Sequence, residues 1–214
     1  MTAATQSPFR INRMDTEIAA DPAAWRPRFD AVPAFAFEDV LSADLLDLLM
    51  RQAAGARYID DDVRYIGTRQ IESPQRVSGT ISLMLGRGDL FAWLEQATGC
   101  GPIKALAGRI AQTRANDQDE LVWHDDSDSP DRLLGVVINL SDQPYDGGLF
   151  ELRRKGEREP LFSFRHSRPG SITLFAVRSD LEHRVLPVTA GGPRRVYAGW
   201  MMAQPEQGVR SVFG

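Results

Sequence analysis

The feature that most constrains this chain is the punctuation of its second half. From Leu121 to Met202 short apolar runs alternate with turn signals, at Asp146-Gly147-Gly148, Arg168-Pro169-Gly170 and Gly191-Gly192-Pro193. Glycine and proline at such spacing break the chain into strands of a few residues. Candidate strands are Leu121–Asp126, Leu133–Leu140, Leu149–Arg153, Leu161–Phe164, Ser171–Ala176, His183–Val188 and Arg195–Met202, with Ala105–Arg114 leading in. Many short strands with regular turns close into a sandwich or a barrel.

The first half reads differently. Residues 1–33 hold four prolines and little periodicity, so they form an arm, loose at its start and pinned by Trp25 and Phe29. Phe35-Ala36-Phe37 reads as a strand. Ser42 then caps a helix whose face carries Leu45, Leu48 and Leu49, and Gly55 stops it. Arg57 to Ser73 is charged and loosely alternating, a hairpin or a loop. Ser78 to Leu85 is a strand or a buried helix, and periodicity does not choose between them. Asp89 caps a short helix ending at Gly99.

The chemistry lies in the strand-rich half. In an extended strand residues i and i+2 share a face, so His124 and Asp126 point to one place and Asp125 points away. Asp128 is the rival carboxylate. His183 follows on another strand. Two imidazoles and one carboxylate on one face of a metal leave the opposite positions open, the arrangement that suits Fe(II). Zinc is the competing ion on ligand chemistry alone. The third histidine, His166, stands between Arg165 and Ser167 and reads as surface. Arg194 and Arg195 are adjacent on a strand, so only one faces inward. Arg194 shares its parity with Val196, Ala198 and Trp200, the small or apolar residues expected inside, although a bulge would exchange the two arginines.

Taken together, the ordered series His124-x-Asp126, Ile138-Asn139-Leu140, Gly147-Gly148-Leu149-Phe150, Arg168-Pro169-Gly170-Ser171, Leu174-Phe175, His183-Arg184-Val185 and Arg194 six residues before Trp200 resembles the 2-oxoglutarate- and Fe(II)-dependent dioxygenases, in their prolyl-hydroxylase-like branch. The resemblance implies an α+β, mainly β fold: a double-stranded β-helix, or jelly roll, braced by N-terminal helices. It implies one domain over 34–214 after the arm, with a brace at 34–104 and a metal-binding core at 105–204. It implies Fe(II) at His124, Asp126 and His183, with 2-oxoglutarate and O2 as cosubstrates. Arg194 takes the position of the arginine that binds the far carboxylate of 2-oxoglutarate. By the same motifs Asn139, Phe150, Val185 and Trp200 border that cosubstrate. Arg114, standing where a tyrosine is common, either supplements Arg194 or meets an anionic substrate. The activity implied is hydroxylation of a C–H bond in an amino acid, a small metabolite or a prolyl-type residue, with release of succinate and CO2. The alternative is a cupin-like metal-binding barrel that is non-catalytic or independent of 2-oxoglutarate.

Composition sets limits on partners. A formal net charge of -4 over 214 residues argues against a large nucleic-acid footprint. No apolar run reaches membrane-spanning length, and the first residues lack a signal-peptide pattern. Cys100 is the only cysteine, which excludes an intrachain disulfide and favours a reducing compartment, hence the cytoplasm. A small-molecule or peptide substrate is expected.

Overall fold

The computed structural model describes residues 2, 4–63, 67–115 and 121–205. Two antiparallel sheets face each other. The larger has eight strands in the order Thr5–Gln6, Ala34–Glu38, Ile172–Ala176, Arg132–Asn139, Arg194–Met202, Ala105–Thr113, Gly67–Glu72, Tyr58–Val63. The smaller has four, in the order Phe162–Phe164, Phe150–Arg154, Leu181–Val185, Leu121–His124. The single parallel contact within the larger sheet is Thr5–Gln6 against Ala34–Glu38. Phe150 of the smaller sheet meets Phe175 of the larger at 4.9 Å between ring centroids, which fixes the two sheets face to face. This is the jelly roll, and its open interior holds the candidate site.

Three helices brace the outer face of the larger sheet. Ala43–Ala54 buries Leu45, Leu49 and Ala53, one per turn. Ser42 occupies its N-cap position, but the hydroxyl bonds the Asp44 side chain at 2.7 Å rather than a backbone N–H. The ambiguous segment is the helix Arg76–Leu85, with Val77, Ile81 and Leu85 buried on one face. Its helical state has a specific cause. The carboxyl group of Glu72, itself 2 % exposed, accepts the backbone N–H of Val77 at 2.7 Å and of Ser78 at 2.8 Å. Those are orphan donors of a helix N-terminus, so a residue outside the apolar run decides the conformation within it. The third helix, Gly88–Thr98, is capped by Arg87 rather than Asp89 and ends at Gly99, whose φ of 67° is readily available only to glycine.

The charged segment after Gly55 is a hairpin, Tyr58–Val63 on Gly67–Glu72, and it extends the larger sheet. The arm packs down early. Its ribbon Phe9–Ile11 and Thr16–Ile18 buries Phe9 against Phe37 and Trp93, and Trp25 stands edge-on to Phe35, Phe37 and Trp93. Large aromatic rings in edge-to-face contact give a short segment enough buried area to stay down.

His166 corrects an expectation. It is fully buried, not at the surface. One ring nitrogen lies 2.8 Å from Ser171 Oγ and the other 3.0 Å from Thr173 Oγ1. Burial, with the Arg194 charge behind it, pushes the imidazole down to about 3. Its polar neighbours Arg165 and Ser167 misled because adjacent extended residues point to opposite sides.

Candidate active site

A cavity of about 590 Å³ opens between the sheets, with walls from both. His124 ends its strand directly opposite His183 on the neighbouring strand, with ring centroids 4.1 Å apart. Asp126 completes the group. One ligand atom from each of the three lies within 4.8 Å of the others. Nε2 of His124 is 3.8 Å from Asp126 Oδ1, and Nε2 of His183 is 3.5 Å from Oδ2.

The route by which Asp126 arrives differs from the strand-parity expectation. The strand stops at His124, and Asp126 sits at φ 56°, in the left-handed region that aspartate tolerates better than most residues. That turn swings the carboxylate back over the two imidazoles. Asp125 does point elsewhere: it accepts from Lys155 at 2.7 Å and from Ser127, and the lysine bond holds its carboxyl down to about 2. Asp128, the rival, is engaged by Arg132 at 2.5 Å.

The surroundings prepare the three side chains for a cation. Nδ1 of His124 is 2.7 Å from the Val122 carbonyl, so that nitrogen donates and Nε2 keeps its lone pair. His183 is packed against Phe175 at 4.6 Å, and burial drives its imidazole well below the ordinary range, which keeps it in the neutral, donor form. The indole N–H of Trp200 donates to Asp126 Oδ2 at 3.0 Å. Arg132 in turn lies over the Trp200 ring at 3.9 Å and donates to the Asp126 backbone carbonyl at 3.1 Å. Two nitrogens and one carboxylate converging from one side match a metal that keeps open positions.

The inner end of the cavity carries Arg194, 4 % exposed, whose Nε has no hydrogen-bond partner among the described residues. A buried guanidinium left short of a partner is costly, and a carboxylate is the group that answers it with two parallel bonds. The space beside it is kept clear: a Cβ on Gly148, at φ 61°, would lie 2.8 Å from Arg194 Cδ. Arg195 turns outward to Gln112 at 2.8 Å and Asp142 at 2.5 Å.

Of the other residues singled out, Phe150, Val185 and Trp200 line the cavity, and Asn139 and Arg114 do not. Asn139 is 1 % exposed, and its amide donates to the carbonyls of His166 and Arg168, both at 3.0 Å. It fastens a loop. Arg114 lies beyond the end of its strand and is exposed, and the inward position belongs to Thr113, paired across to Arg194. Sequence reading missed Arg132, Arg109 and Thr113 in the wall. Thr113 was recoverable from strand parity. Arg132 carried no local sign, because its partners are a tryptophan and a turn distant or irregular in the chain.

Residues 109–202 match a family profile described as the 2OG-Fe(II) oxygenase superfamily. No curated protein sequence matches the chain. Among solved structures, a 2OG-Fe(II) oxygenase family oxidoreductase from Burkholderia pseudomallei is similar at TM-score 0.64 and 17 % identity, over 90 % of this chain and 95 % of that one. A Pseudomonas putida prolyl-4-hydroxylase is similar at 0.62 and 20 %, over 86 % of this chain and 100 % of that one. A Trichoplax adhaerens prolyl hydroxylase, in complex with a hypoxia inducible factor peptide fragment, is similar at 0.62 and 14 %, over 84 % and 89 %. These likenesses carry the double-stranded β-helix fold, and the matched segment contains the His–Asp–His group and the buried arginine. Residues 109–202, the segment that carries the candidate site, are thus similar to the 2OG-Fe(II) oxygenase superfamily, dioxygenases that work with Fe(II), 2-oxoglutarate and O2.

Proposed function

We propose that this protein hydroxylates an aliphatic C–H bond of an amino acid, a small metabolite or a prolyl-type residue, with Fe(II) held by His124, Asp126 and His183 and 2-oxoglutarate held at its far carboxylate by Arg194. One observation carries the reading: the three convergent ligands and the orphaned buried arginine open into one cavity. When bound, Fe(II) with 2-oxoglutarate and O2 supplies the oxidant, and the cosubstrate leaves as succinate and CO2. The chain supplies the rest. His124 and His183 present neutral imidazole nitrogens. Asp126 supplies the one anionic ligand, oriented by Trp200. Arg194 fixes the depth of the cosubstrate. Phe150, Phe175, Val136 and Val185 keep the reacting space apolar and exclude water, which strengthens every electrostatic contact inside. The catalytic core on this reading is 105–204, with 34–104 as its brace and the arm outside the cavity wall. No helix among the described residues is long and apolar enough to cross a membrane. The single free cysteine supports a reducing compartment such as the cytoplasm.

The test is spectroscopic. Fe(II) and 2-oxoglutarate are added to the protein without oxygen, and the visible charge-transfer band of the chelate is sought. Its appearance, and its loss in Arg194→Ala, supports the assignment. Its absence from metal-loaded protein shifts the weight to a barrel that binds metal without 2-oxoglutarate.

A further inference from the structure

The cavity wall carries four arginines, Arg69, Arg109, Arg132 and Arg194. Three have employment. Arg69 pairs with Asp61 at 3.0 Å, Arg132 pairs with Asp128 and covers Trp200, and Arg194 is committed to the cosubstrate on the reading above. Arg109 is exposed where it borders the cavity and has no hydrogen bond or ion pair among the described residues. Its place in the sheet decides what it can reach. Arg109 stands directly across from Ala198, and Ala198 precedes by two residues the Trp200 that bonds Asp126. Diagonal neighbours across a strand pair are roughly 7–8 Å apart, within reach of an arginine. Arg194, by contrast, is opposite Thr113, four residues further along the same strand and so about 13 Å away at 3.3 Å per residue. Arg109 therefore serves the metal end of the cavity and not the cosubstrate end. The same cavity wall carries the aliphatic and aromatic side chains of Val136, Val137, Phe150 and Phe175.

We infer that Arg109 is the carboxylate anchor for the substrate, and that the substrate is a free aliphatic amino acid rather than a residue within a peptide. This rests on the proposed dioxygenase reading and narrows it. An internal peptidyl residue offers an amide at the point where Arg109 offers a guanidinium. A free amino acid offers a carboxylate that accepts two hydrogen bonds from it, with its aliphatic side chain against the apolar wall and a C–H bond towards the metal. Asp62 lies away from this group, because it pairs with Thr68 on the hairpin strand whose Gln70 is opposite Gln112, which sets it beyond the Thr113 end of the Arg109 strand.

The experiment pairs ligands before it uses variants. Succinate release from 2-oxoglutarate is measured with each aliphatic L-amino acid, proline included, and with its primary amide, and products are checked by mass for one added oxygen. The expected result is that at least one free acid stimulates release and gains one oxygen. Its amide then shows a KM higher by about tenfold to a hundredfold, the worth of a hydrogen bond to a charged group. Arg109→Gln raises the KM of the acid by a similar factor and leaves the amide's KM unchanged, with kcat for the acid within a few-fold, and Arg109→Lys recovers part of the loss. Equal KM values for acid and amide on the wild-type protein overturn the inference. So does a lack of stimulation by every amino acid in protein that shows the chelate band and slow substrate-free succinate release, an outcome that leaves the dioxygenase reading standing. Absence of both band and release removes that reading and this inference with it.

Discussion

Trp200 Nε1 lies 3.0 Å from Oδ2 of Asp126, and this single bond ties the carboxylate of the candidate metal centre to the strand that also bears Arg194. The two carboxylate oxygens are thereby made unequal. Oδ2 is engaged by the indole at hydrogen-bond distance, whereas Oδ1 has only Nη1 of Arg132 and Nε2 of His124, each at 3.8 Å. Removing the donor without removing the ring isolates that effect. In Trp200→Phe the affinity for Fe(II), or for Co(II) as a probe, is expected to fall about tenfold to a hundredfold, as for other partners that orient metal ligands. Anaerobic metal titration measures it. Unchanged affinity would leave the indole bond without a role at the metal.

Arg194 and Arg195 give a paired prediction. Arg194→Ala removes the buried charge at the proposed cosubstrate end, and the KM for 2-oxoglutarate is expected to rise by roughly a hundredfold, equivalent to about 3 kcal/mol of charge-assisted bonding. Arg195→Ala disturbs part-buried contacts with Gln112 and Asp142 that face away from the cavity, and is expected to shift that KM by less than about threefold, because no cavity-lining residue is changed. Steady-state kinetics in 2-oxoglutarate decides it. The reverse order would mean that Arg195, not Arg194, holds the cosubstrate.

How far the sequence could be read divides along the same line as these residues. Strand parity placed Arg194 inward with Val196, Ala198 and Trp200, because the Arg194–Met202 strand is regular and paired on both sides. The same reasoning brought Asp126 to the candidate metal centre for a wrong reason, since periodicity carries no information once a chain enters a left-handed turn. Arg114 was misplaced by one residue, and in a strand one residue exchanges inside for outside. Arg76–Leu85 stayed ambiguous because the deciding group, Glu72, lies before the apolar run. The Tyr145–Gly147 and Val188–Gly191 ribbon was invisible because each strand is too short to show a period, and its pairing is long-range.

His166 predicts a pH dependence. Its folded pKa lies near 3 against an ordinary value of 6.5. The folded state therefore refuses a proton that the unfolded state accepts. Stability from this group is complete above about pH 6.5 and is lost as pH falls towards 3, at about 1.4 kcal/mol per pH unit. Between pH 7 and 5 the loss amounts to about 2 kcal/mol. In His166→Gln, urea unfolding midpoints should fall less steeply over that interval. Parallel slopes for the two proteins would show that the imidazole is not held neutral.

Glu72 provides the test furthest from the metal. It is almost fully buried, and one carboxyl group serves two backbone donors at the start of the Arg76–Leu85 helix together with the Ser78 hydroxyl. Ser78 Oγ also accepts the backbone N–H of Ile110 at 2.9 Å, so the helix, the hairpin and the strand that carries Arg109 and Thr113 meet at this residue. Glu72→Gln keeps the size and one acceptor but turns an N–H₂ towards backbone donors. The expected cost is about 1–3 kcal/mol, the range for leaving buried donors unmatched. Thermal unfolding measures that cost. Because the candidate metal ligands lie on other segments, Fe(II) affinity of the folded variant should stay within a few-fold of wild type. A large loss of metal affinity without a loss of stability would mean that the brace shapes the site directly.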